Sequence, residues 1–138
     1  MTILAYTDGA SRGNPGESGV GIVLKDEQGN VITSQYGYIG TATNNIAEYT
    51  ALALCLKLVQ TTKCSSLVVH SDSELMVRQL NGQYKVKDAG LKKHFQQIQN
   101  ILGASPFQFN ITHIPREKNR EADELANRGI DTKKILAI

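Results

Sequence analysis

Four carboxylates stand at comparable places along this chain: Asp8, Glu48, Asp72 and Asp123. Asp8 follows the apolar run Ile3, Leu4 and Ala5 and precedes Gly9, Gly13, Asn14, Pro15 and Gly16. It therefore reads as an acid at the end of a central strand, beside a close-turning, glycine-lined loop that lets a polymer lie near the backbone. Asp72 likewise follows a short strand, Leu67 to His70; Glu48 falls in the first turns of a long helix and Asp123 near the start of the last one. Sites in α/β sheets form beyond the carboxyl ends of strands. Asp8 and Asp72 converge there if the first and fourth strands are parallel neighbours, and helices on the sheet can deliver the other two. Four ionised carboxylates gathered in one place repel by several kcal/mol, on the order expected for unit charges a few ångströms apart, so such a site requires bound cations or shifted pKa values. Hard oxygen donors point to Mg²⁺ or Mn²⁺.

Each acid also has a local explanation. Asp-Gly is a common hairpin turn. Glu48 lies three residues after Asn45 and can complete a capping arrangement, Asp72 can cap the helix that follows it, and Asp123, flanked by Glu121 and Glu124, can be a solvated face or a partner of the helix dipole. These readings account for the acids singly and leave their common location at one sheet edge unexplained.

The elements that must position them follow from periodicity. After the first loop, Gly19 to Lys25 and Val31 to Tyr38 read as strands joined by the turn-rich residues Asp26 to Asn30, which makes the first three strands an antiparallel meander. From Thr43 the period becomes helical and nearly all-round apolar (Ala47, Ala51, Leu54, Leu58 with Leu52, Leu56 and Val59), so this helix is central. A helix from Glu74 to Leu80 stops at Asn81 and Gly82, and Leu91, Phe95, Ile98 and Leu102 mark an amphipathic helix. Phe107 to Ile114 alternates as a last strand, Pro115 to Lys118 is a loop, and Asn119 is placed as the N-cap of a helix running to Arg128 and closed by Gly129. The order βββαβααβα predicts an α/β fold: a five-stranded mixed sheet, strands 1–3 antiparallel and strands 1, 4 and 5 parallel, with helices on both faces.

The 138 residues, 41% of them apolar, suit one domain, here residues 1–138. Lys and Arg exceed Asp and Glu by only 15 to 13, a formal charge of +2, which neither demands nor excludes a polyanionic partner. Cys55 and Cys64 form neither a CxxC pair nor a disulfide framework, which favours a reducing, cytoplasmic setting. No apolar run is long enough to cross a bilayer, and Met1 leads straight into a strand without a signal segment.

The motifs YTDGASRGNPG around Asp8, TNNIAEYTAL around Glu48, VVHSDSELMVRQL around Asp72 and HIPREKNREADELAN around Asp123 together resemble the type 1 ribonuclease H family in order and spacing, over nearly the whole chain. The resemblance implies a ribonuclease H-like fold and a metal-dependent endoribonuclease that hydrolyses the RNA strand of RNA/DNA hybrids, leaving 5′-phosphate and 3′-hydroxyl ends. It implies that Asp8, Glu48, Asp72 and Asp123 hold two Mg²⁺ ions, with Mn²⁺ as a possible substitute. By the same resemblance Asp8 would bridge both, Asp123 would serve the water-activating ion, and Glu48 and Asp72 would serve the leaving-group ion. Two ions about 3.5 to 4 Å apart suit phosphodiester hydrolysis chemically. The resemblance also makes Ser11, Gly13, Asn14, Thr43, Asn44, Asn45 and Ser73 substrate contacts that distinguish RNA through its 2′-hydroxyl. A monomer acting on a hybrid, with no membrane partner, is expected.

Two features depart from that family. Gly82 to Gly90 stands where many bacterial members carry a basic, Trp-rich protrusion, and the chain has no Trp. Lys85, Lys87, Lys92 and Lys93 remain as candidate phosphate contacts. The short Pro115 to Lys118 stands where well-studied members carry a loop histidine, leaving Arg116 or Glu117 as candidate auxiliaries. Of the histidines, His113 shares a strand face with Phe109 and Ile111 and is expected to be a partly buried packing residue. A catalytically silent hybrid-binding module would lose a metal ligand, and a DNA nuclease of similar layering would lack the GNPG and TNN elements; this chain keeps both.

Overall fold

The computed structural model describes residues 1–136. Its elements run β1 (Thr2–Gly13), β2 (Gly16–Lys25), β3 (Val31–Ala42), α1 (Asn44–Gln60), β4 (Ser66–Ser71), α2 (Glu74–Leu80), α3 (Ala89–Gly103), β5 (Gln108–His113) and α4 (Arg120–Thr132), with one turn of 3-10 helix at Arg116–Lys118. The sheet order is β3-β2-β1-β4-β5. β1, β2 and β3 are antiparallel, and β4 pairs in parallel with both β1 and β5, as the sequence predicts.

Helices cover both faces. On one, α1 lies against β1 and β2 with α3 outside it. This core contains Ile3, Ala5, Ile22, Leu24, Leu52, Leu56, Leu67 and Val69, all fully buried. α1 has apolar residues around most of its circumference because sheet, α2 and α3 together enclose it. Thr43 starts it, its hydroxyl accepting the Ile46 N–H at 3.2 Å. On the other face α4 buries Ala122, Ala126, Gly129 and Ile130 against β2 and β3. The approach is close enough that a Cβ on Gly21 would sit 2.1 Å from the Ala122 carbonyl oxygen.

Three local expectations are corrected. β1 does not end at Asp8: it continues to Gly13 as one arm of a hairpin with β2, because Gly9 to Gly13 find backbone partners in Gly16 to Val20. β3 likewise extends beyond Tyr38 to Ala42. Gly129 does not close the last helix, which runs to Thr132 and ends on Lys133 in the left-handed conformation (φ 54°). Gly129 instead lets α4 rest on Gly37, whose carbonyl oxygen lies 2.3 Å from where a Cβ would stand. Asn119 occupies the N-cap position but makes no side-chain cap bond.

Candidate active site

The parallel ladder between β1 and β4 ends at the pair Thr7 and Ser71. Asp8 is the next residue on β1 and Asp72 the first residue past the end of β4, so both acids sit where the two strands part. Asp8 pairs across β2 with Gly21, the residue under α4, while its neighbour Gly9 faces α1. The opening is therefore reached from both layers: Glu48 enters from α1 and Asp123 from the first turn of α4.

Carboxylate oxygens of Asp8, Glu48 and Asp72 lie within 4.8 Å of one another. Asp8 is 5% exposed and Glu48 8%. Burial, then repulsion from Glu48 and Asp72, pushes the Asp8 carboxyl far above the usual carboxylate range, and a contact with Asp123 adds to the shift. Burial, then Asp72, raises Glu48 as well, while the Gly9 N–H opposes the rise. That N–H donates to Glu48 Oε1 at 2.8 Å, and the bond identifies Glu48 as a group aimed at β1 rather than a partner in helix capping. Nor does Asp72 cap α2; Ser73 does, its hydroxyl accepting the Met76 N–H at 3.3 Å.

The acids line a cleft of about 390 Å³ together with Ser11, Asn44 and Arg116. Arg116 is 82% exposed at its side chain and reaches Asp123 at 3.9 Å. Glu117 points elsewhere, into a separate concavity beside Tyr6 and Lys25. Asn14, Thr43 and Asn45 also lie outside the acid cleft and line an adjoining hollow with Asp88 and Leu91. The two concavities are joined through the Asn44 N–H, which donates to Asn14 Oδ1 at 3.1 Å. Ser11 fixes this corner by donating to the Ala42 carbonyl at 2.8 Å, tying the β1–β2 hairpin to the segment that leads into α1. Gly13 lies in the hairpin end at φ +105°, and Ser73 is engaged at the start of α2.

Arg12 and Asn127 line the cleft as well, beyond the sequence expectations. The sequence places Arg12, inside the first motif, in a loop; as part of a strand it lines the cleft and pairs with Asp131 at 2.6 Å. Asn127 also lines the cleft, and its spacing of four from Asp123 on one helix was the available signal. His113 is exposed rather than packed: it shares the parity of buried Ile111 but is the last residue of β5, beyond the layer that covers Ile111. His70 stacks on Tyr6 with ring centroids 4.4 Å apart, and its Nδ1 bonds the Ala5 carbonyl at 2.9 Å, so it is fixed in place.

Residues 6–129 match the family model described as reverse transcriptase-like. The structure superposes on LC11-RNase H1, solved in complex with an RNA/DNA hybrid, with a TM-score of 0.90 and 45% identity, covering 94% of this chain and 97% of that one. It superposes on RNase H1 from the halophilic archaeon Halobacterium salinarum NRC-1 with a TM-score of 0.91 and 38% identity, covering 96% and 99% of the two chains. The curated Ribonuclease HI of Halobacterium salinarum is 39% identical over 127 residues, which are 92% of this chain and 63% of that protein. The chain thus spans less than two thirds of that curated relative's length.

Proposed function

Since this chain belongs to the ribonuclease H family, we propose that it hydrolyses the RNA strand of RNA/DNA hybrids with divalent cations, leaving 5′-phosphate and 3′-hydroxyl ends. The observation that carries this is the cluster of Asp8, Glu48 and Asp72, with oxygens within 4.8 Å and two of the three acids buried. Buried like charges at that distance are tolerated when a cation joins them or a proton neutralises one. The donor set is all carboxylate, which suits Mg²⁺ or Mn²⁺ rather than a softer metal.

In this reading Asp8, Glu48, Asp72 and Asp123 hold the cations, with Asp8 central because it neighbours the other three. Two such ions, when bound, would supply a more acidic water, a stabilised leaving oxygen and counter-charge for the developing phosphate charge. The chain's own residues then position. Gly9 locks Glu48 through its N–H, and Ser11 and Asn44 at the cleft wall meet the 2′-hydroxyls of the RNA strand. Gly13 and Ser73 are offered as neighbouring contacts, and Asn14, Thr43 and Asn45 hold the backbone in the adjoining hollow. Arg116, exposed and only loosely held by Asp123, neutralises phosphate charge at the cleft mouth. Glu117 has no place in this scheme because it lines a different concavity. Free, buried Cys55 and Cys64 fit action in the cytoplasm. Among the described residues no helix is long and apolar enough to cross a membrane.

A gel assay with labelled RNA/DNA, RNA/RNA and DNA/DNA duplexes, with Mg²⁺ and with EDTA, tests the proposal. Cleavage of the RNA strand of the hybrid alone, dependent on the cation, is expected. Binding of the hybrid without cleavage at any Mg²⁺ or Mn²⁺ concentration would make the chain a binding module instead.

A further inference from the structure

We propose that Asn119 is a positioning residue that sets the separation of Asp8 and Asp123. This rests on the reading of those acids as cation ligands. Asn119 is 1% exposed. Its Nδ2 donates to the Thr7 carbonyl at 2.9 Å, across 112 residues of sequence, at the peptide that leads directly into Asp8. Its own carbonyl accepts the Asp123 N–H at 3.1 Å, and its N–H donates to the Arg116 carbonyl at 3.0 Å. One buried residue thus joins the strand that carries Asp8, the helical turn that carries Asp123 and the 3-10 turn that carries Arg116.

The chemistry of the side chain separates this role from ordinary helix capping. An Asn at this position stabilises a helix by accepting an N–H of its first turn. Here no such bond forms, and the acceptor Oδ1 is buried with no hydrogen-bond partner among the described residues. What the residue contributes is its amide donor. Asp, an equally good cap, lacks that donor in its ionised form, and the Ser hydroxyl is shorter, so neither reproduces the link to Thr7. The backbone at Asn119 is non-helical, with φ −120° and ψ 26°. The other close approach of this turn to the sheet, Ala122 against Gly21, is to β2, so the side-chain link is what ties it directly to the strand that carries Asp8. Residues that orient metal ligands from behind typically tune affinity or activity by about 10- to 100-fold.

The test compares Asn119→Ala and Asn119→Ser with Ile98→Ala, a core change on α3 remote from the cleft, by thermal melting, Mn²⁺ titration calorimetry and hybrid cleavage. The Asn119 variants are expected to bind Mn²⁺ roughly 10- to 100-fold more weakly, with cleavage recovering part-way as Mn²⁺ is raised and with hybrid affinity within about threefold of wild type. Ile98→Ala should melt lower yet bind Mn²⁺ normally. Should Asn119→Ala fail to fold, the smaller perturbation in Asn119→Ser decides. Unchanged Mn²⁺ affinity in a folded Asn119 variant would overturn the proposal, as would an equal loss in Ile98→Ala. Wild-type protein that neither binds Mn²⁺ nor cleaves the hybrid would instead overturn the metal reading, and this inference with it.

Discussion

Asp8→Asn removes one ionisable group from the acid cluster while keeping its shape, and it should make the cation-free protein more stable while abolishing the proposed hybrid cleavage. With carboxylate oxygens within 4.8 Å of one another, an ionised pair at an effective dielectric of about 20 costs roughly 3.5 kcal/mol or more. Two partners, Glu48 and Asp72, bring the gross repulsion on Asp8 to about 7 kcal/mol. Protonation is the smaller penalty: holding a carboxyl neutral at pH 7 from an ordinary value of 3.8 costs about 4 kcal/mol. The cheaper route wins and sets the ceiling. Asp8→Asn escapes both, so without cations it should gain about 2–4 kcal/mol at pH 7, or roughly 10 °C in melting temperature for a chain of this size.

The sign with pH follows from the direction of the shift. Asp8 binds its proton more tightly folded than unfolded, so its contribution to wild-type stability without cations is fully present below the ordinary carboxylate range and is lost as pH rises from there toward the folded value. The advantage of Asp8→Asn should therefore vanish near pH 4 and grow toward pH 7. Mg²⁺ reverses the order, because a ligand of the folded state stabilises the wild type by mass action and has lost its central ligand in the variant. Melting curves from pH 4 to 8 with EDTA and with Mg²⁺, run beside hybrid cleavage and filter binding, measure all of this. Hybrid binding should be retained in the variant. An Asp8→Asn protein that melts below wild type in EDTA at pH 7, or that cleaves at the wild-type rate, would refute the reasoning.

Gly9→Ala should both destabilise the fold and reduce cleavage more than tenfold, since its Cβ would stand 2.2 Å from the Ala47 carbonyl carbon and 2.4 Å from the Glu48 nitrogen; melting and kcat measured on the folded fraction test it. Overpacking against backbone costs about 1–3 kcal/mol or more. Arg116→Ala should lower kcat about tenfold by removing a charge-assisted phosphate contact, with melting unchanged, whereas Glu117→Ala, outside the cleft, should leave kcat within about twofold; a matched loss in both would mean that the whole turn, not Arg116, matters. His113→Ala should leave melting within about 1 °C, as expected for an exposed strand end, and a clear drop would show that His113 packs in solution.

What the sequence made legible was what periodicity encodes. Alternation and helical spacing gave the strands, the central α1 and the order of the sheet, and from these the meeting of Asp8, Asp72, Glu48 and Asp123 at one edge. What it concealed depends on partners distant in sequence. Gly9 to Gly13 have little intrinsic strand preference, yet they extend β1 because β2 offers a ladder alongside them. Asn119 has the identity and place of a cap, and only the fold shows its amide turned toward Thr7. His113 has the correct parity for burial, but parity assigns a face and not the extent of what covers it.

The glycines connect these observations to the site. Asp8 and Gly21 are opposite each other across β1 and β2, and Gly9 follows on the alternate face. An acid at the sheet opening can be met by side chains from two helical layers only if both layers approach the same strand segment closely. Gly9 admits the backbone of α1 at Ala47 and Glu48, and Gly21 admits that of α4 at Ala122. A side chain at either position would hold its helix away, and with it Glu48 or Asp123, each of which has only a short reach. Small residues around Asp8 thus set the site's dimensions, while the carboxylates supply its charge. Because these backbones bring the acids closer than the acids alone would come, the cation-free cluster keeps a proton on Asp8, and a bound cation would take that proton's place.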